Sequence, residues 1–122
     1  MRETNKINTQ SLQEEAKKSE DKEAFTVLAR MPNCRVGVGA RLESHAKPIF
    51  FIEIIASLCA NHQTVNLNSL EKNMLILRRL KQRGYVLTCG EDGTISCELA
   101  VPPESLETEI GTAILMIEKL AE

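Results

Sequence analysis

No apolar run in the chain approaches the roughly 20 residues needed to cross a bilayer; Ile49–Ile52 and Met74–Leu77 are short stretches. A membrane-spanning protein is therefore not expected. Glycine and proline are scarce (Gly 6, Pro 4), which excludes collagen-like and low-complexity chains. The cysteines Cys34, Cys59, Cys89 and Cys97 include no C-x-x-C pair, so the usual clustered signature of structural zinc is missing. Cys59 and His62 are spaced to seat two ligands, yet no companion cluster accompanies them, and no metal or cofactor is expected. Met1–Lys6 is polar and carries no apolar signal stretch, which points to a cytosolic chain with reduced thiols serving as small core residues. Tryptophan is absent, and neither paired carboxylates nor a nucleophile elbow appears, so an enzyme is not expected.

What remains is ordinary globular composition, 43% apolar and 26% charged over 122 residues, enough for one domain. The net charge is −2, but it is unevenly spread. Residues 25–83 carry nine basic groups against three acidic ones, +6, whereas residues 84–122 carry one against eight, −7. Such polarity suits a basic face for phosphate or an acidic partner, or halves that attract each other within one fold or across a dimer.

Residues 1–23 are almost wholly polar and read as a flexible extension, with a short exposed helix over 11–23 as the alternative, capped by Ser11 and Glu14. Order is expected from 24 to 122, beginning with a small cluster of Phe25, Val27, Leu28 and Met31 before a break at Pro32-Asn33. Residues 34–42 alternate, with Cys34, Val36, Val38, Ala40 and Leu42 facing one way, as in a half-buried strand. Gly37-Val38-Gly39 begins like a dinucleotide fingerprint, but Leu42 occupies the third glycine position. The two glycines instead read as places where another group approaches the strand.

Ser44 and Pro48 suggest a helix over 48–60, with Ile49, Phe50, Ile52, Ile55 and Ala56 inward and Glu53 outward. A second helix, 67–83, starts at Asn66 or Asn68 and stops at Gly84. Leu67, Leu70, Met74, Leu77 and Leu80 form its core stripe, Lys72, Arg79 and Arg83 lie opposite, and Leu75 and Ile76 flank the basic stripe. Strands at 85–89 and 94–101 enclose a Glu91-Asp92-Gly93 loop, pairing Cys89 with Ile95 and Leu87 with Cys97. A last helix, 104–121, buries Leu106, Ile110, Ala113, Ile117 and Leu120, leaving Leu115 and Met116 outside its seam.

The passage from Leu77 through Arg83-Gly84-Tyr85-Val86 to Leu99, with Asp92-Gly93 at the hairpin tip, follows Ile54-Ile55-Ala56-Ser57-Leu58 and Val65-Asn66-Leu67. Over residues 48–101 this order resembles a winged-helix DNA-binding domain. The resemblance implies a basic recognition helix, with Lys72, Arg78, Arg79 and Arg83 towards DNA and Glu91–Gly93 as the wing tip.

The expected fold is α+β: a three-stranded antiparallel sheet (34–42, 85–89, 94–101) with three helices packed on it in the order β-α-α-β-β-α, including a winged-helix-like helix-plus-hairpin element. Leu75, Ile76, Leu115 and Met116 exceed what a small monomer hides and are the expected homodimer interface. The leading functional expectation is a non-enzymatic protein-interaction or assembly module. The alternative is a nucleic-acid-binding regulator.

Overall fold

Residues 7–31, 34–43, 47–57, 67–90 and 93–118 are described in a computed structural model, for 57 and 67–73 as backbone alone. The chain runs α1 (Thr9–Lys18), β1 (Glu23–Met31), β2 (Cys34–Arg41), β3 (Ile49–Ser57), α2 (Leu67–Gln82), β4 (Val86–Cys89), β5 (Thr94–Ala100) and α3 (Leu106–Glu118). One turn of 3-10 helix at Pro103–Ser105 leads into α3. All five strands join one antiparallel sheet in the order β1-β2-β3-β5-β4. The α+β class stands, but the three-stranded sheet and its β-α-α-β-β-α order are corrected. Residues 34–41 pair with β1 and β3 rather than with the hairpin.

The largest correction is β3, expected as a helix over 48–60. Its Ile49-Phe50-Phe51-Ile52 run is β-branched and aromatic, which favours a pleated strand. As the central strand it buries both faces, with Phe50, Ile52, Ile54 and Ala56 on one and Phe51 on the other. A strand dry on both sides shows no period of two, so its apolar pattern imitates a wide helical face. The second missed strand, β1, alternates only until its register shifts between Val27 and Ala29, where a bulge at Leu28 adds an unpaired residue to the edge.

The polar leader also contributes structure. Asn8, rather than Ser11, caps α1, its side chain accepting from the Ser11 N–H at 2.9 Å. Leu12 and Ala16, one turn apart, are buried against the sheet. The core they join includes Val36, Val38 and Ala40 of β2, Ile52 and Ile54 of β3, and Ile95 and Cys97 of β5. Ile76, Leu77 and Leu80 of α2 and Leu106, Ile110, Ala113, Ile114 and Ile117 of α3 complete it. α1 packs on β1 and β2, and α3 on β2 and β3.

Other expectations are met closely. β2 buries Cys34, Val36, Val38 and Ala40 together, and the hairpin has the expected register, Cys89 opposite Ile95 and Leu87 opposite Cys97. Gly93 has φ 83, the left-handed conformation its place in the loop requires. α2 is one continuous helix over Leu67–Gln82. The expected caps at Ser44 and at Asn66, the break at Pro32-Asn33, the Cys59/His62 pair, the Glu91-Asp92 tip and the buried role of Leu120 lie outside the described residues, as do the side chains of Leu67, Asn68 and Leu70. Among the described residues, no helix is long and apolar enough to cross a membrane.

Candidate interaction surface

Helical spacing gathers one surface on the outside of α2. Ile76, Leu77 and Leu80 turn into the core, so Met74, Leu75, Arg78 and Arg79 turn out. Met74 is 52% and Leu75 48% exposed. Covering a half-exposed Leu or Met side chain is worth about 1 kcal/mol. Arg78, Arg79 and Lys81 make this face basic. The start of α3 is acidic, with Glu104 and Glu107 exposed.

The residues expected at an interface divide between surface and core. Leu75 is exposed on α2 and Leu115 (58% exposed) on α3, whereas Ile76 is buried and Met116 is half-buried against the core. The buried arc of α2 is centred nearer Ile76 than expected, which turns Met74 out and Ile76 in. Among the expected nucleic-acid contacts, Arg78 and Arg79 are exposed close to Leu75. Arg83 is engaged by Glu109 of α3, its Nη2 donating to Oε1 at 2.7 Å. The side chain of Lys72 lies outside the described residues. Val86, at the start of the edge strand β4, is 67% exposed, but its pairing with Glu98 puts it on the sheet face away from the helices, apart from Met74 and Leu75.

A second surface is the groove between α1 and the edge strand β1, a cavity of about 230 Å³. Ile7, Leu12, Val27, Leu28 and Val38 supply its apolar lining, and Asn8, Ser11, Glu15 and Thr26 its polar lining. The bulge that adds Leu28 to β1 places that residue here. No run of apolar residues in the sequence announces the groove, because Ile7 and Leu12 stand alone in a polar segment.

On the sheet face away from the helices, Phe51 is buried beneath neighbouring side chains. The rings of Phe25 and Phe51 stack at 6.5 Å, lying over Gly37 and Gly39, where an added Cβ would collide with them. The Arg41 guanidinium sits 4.8 Å from the Phe51 ring centroid and reaches Glu98 at 3.1 Å and Glu23 at 3.5 Å. Glu53, directly opposite Glu98, has its carboxyl pushed above the usual range by burial, then by the charges of Glu98 and Glu23; Arg35 and Arg41 oppose the shift. Glu23, Glu53 and Glu98 outnumber Arg35 and Arg41 here, and Arg41 is already held by two of the three carboxylates.

The described thiols are free. Burial pushes Cys97 up to about 11, with Cys89 adding to the effect, and burial raises Cys34 as well. Both buried thiols are therefore poor nucleophiles. Cys89 is exposed on β4. No family model matches the sequence, and no curated protein or solved structure matches it either.

Proposed function

We propose that the protein is a small cytosolic interaction module, not an enzyme, that works as a homodimer and holds a segment of another protein. The carrying observation is the exposed pair Met74 and Leu75, set beside exposed Arg78 and Arg79 on a helix that turns Ile76, Leu77 and Leu80 into the core. A second copy is the occupant that the charge pattern favours. The basic outside of α2 meets, on the same molecule's twin, the acidic start of α3. The groove beside β1 suits a different visitor: an extended segment of a partner protein, which gains apolar cover from Leu12 and Leu28 and backbone partners from an edge strand.

Sedimentation equilibrium tests the dimer. The wild-type chain is expected to self-associate in the micromolar range, and Leu75→Asp to weaken association at least about tenfold while keeping the helical signal. A wild-type chain that stays monomeric at the highest concentration reached would overturn the reading. Exposed Arg78 and Arg79 also favour nucleic-acid binding as a second reading. Duplex binding that falls steeply with salt would favour that alternative.

A further inference from the structure

The link between α2 and β4 holds two side chains, those of Arg83 and Tyr85, that the proposed surface leaves unused. Gly84, with φ 107, ends α2: its N–H donates to the Lys81 carbonyl at 3.0 Å, and that of Tyr85 to the Leu80 carbonyl at 3.1 Å. This stop turns the chain sharply, so the residues flanking the glycine address the same neighbour on α3. Arg83 reaches Glu109 Oε1 at 2.7 Å. Tyr85 is 3% exposed, and its hydroxyl is buried with no hydrogen-bond partner among the described residues. The second oxygen of Glu109 is buried and without a partner in the same way. Two such orphans are costly, and the Glu109 charge acts on the Tyr85 phenol, so the two groups lie within electrostatic reach of each other. The phenol stays protonated: burial, then the Glu109 charge, pushes Tyr85 up to about 12, with Cys97 adding and Arg83 opposing.

We propose that Arg83, Tyr85 and Glu109 form one clamp that fixes the pose of α2 against α3 and so sets how Met74 and Leu75 are presented to a second copy. The inference rests on the self-association reading above for its consequence, and on the clamp geometry for its cause. All three are positioning residues: none belongs to the exposed Met74–Leu75 pair, and the clamp acts through the helix it holds. Its consequence is that association can be weakened without altering any side chain of the surface itself.

Full-length Arg83→Gln, Glu109→Gln and the double variant test it. Each single change is expected to raise the dimer dissociation constant about tenfold, and the double change to add little more, because one unit is lost either way. Amide exchange at Gly84 and Tyr85 should quicken in the same variants. Tyr85 is the one tyrosine in a chain without tryptophan, so ultraviolet absorbance follows its titration alone. In Glu109→Gln that titration should move down from about 12. Additive losses in the double variant, or singles that match the wild type in both association and exchange, would overturn the clamp. An unmoved tyrosine titration would overturn the part assigned to the phenol. If the wild type proves monomeric, the dimer reading falls, whereas exchange and titration still report separately whether α2 is clamped.

Discussion

Each face of β3 hides large side chains, and the two faces hide them in different ways. Towards the helices, Ile52 and Ile54 are wholly buried in the core cluster to which all three helices contribute, so that face is held by packed volume. On the other side Phe51 is equally hidden, 1% exposed, but it is enclosed by a glycine beneath it, a stacked Phe25 and the Arg41 guanidinium. That side depends on the shape of the backbone as much as on apolar area. One strand thus shows two ways of excluding water: deep burial among aliphatic groups, and a thin lid of ring and cation.

The difference is broken most forcefully from the helix side. Ile54→Ala removes a fully buried side chain at the middle of the sheet and is expected to cost about 3–4 kcal/mol in denaturant unfolding. On the lid side, Gly39→Ala drives a methyl group into the Phe51 ring and is expected to cost about 1–3 kcal/mol. Gly111→Ala serves as its control. A methyl there meets nothing within 4 Å, and in α3 it should stabilise by about 0.5–1 kcal/mol. Equal effects at the two glycines would show that the ring stack is not the constraint.

The smallest expected effect sharpens the electrostatic side of the comparison. The folded-state pKa of Glu53 lies above its ordinary value of 4.5, so its ionised form is disfavoured by folding. The penalty is fully present above the folded pKa and is relieved as pH falls through that pKa towards 4.5. Glu53→Gln should therefore be more stable than wild type at neutral pH, by less than about 1 kcal/mol because the carboxylate is partly exposed. The advantage should shrink on acidification, as followed by thermal melts at a series of pH values. A constant gap across that range would assign the effect to packing.

Legibility in the sequence followed how each segment is buried. β2 is covered on both faces from Val36 to Ala40, but its second face carries only arginine and glycine, so the alternation from Cys34 to Ala40 is visible, and the hairpin register follows from keeping Leu87, Cys89, Ile95 and Cys97 on one face. β3 is covered on both faces and lost its period; β1 lost its period at the Leu28 bulge. α1 needs only Leu12 and Ala16 to dock, too few to mark a helix in advance. The exposed part of the α2 surface was half-readable. Leu75 was anticipated, but the turn of the helix that exposes Met74 and buries Ile76 depends on how α2 lies on the sheet, which periodicity alone does not set.

The seam between β3 and β5 joins Phe51 to Ala100 and Ser57 to Thr94, positions far apart along the chain. A ribosome therefore delivers β1, β2 and β3 well before the strand that will cover the open edge of β3. Through that interval the Ile49–Ile55 segment, strongly β-prone and with Glu53 as its one charge, presents unpaired backbone to whatever is near. The late arrival of residues 94–100 makes the nascent chain, more than the finished molecule, the form most exposed to improper strand pairing.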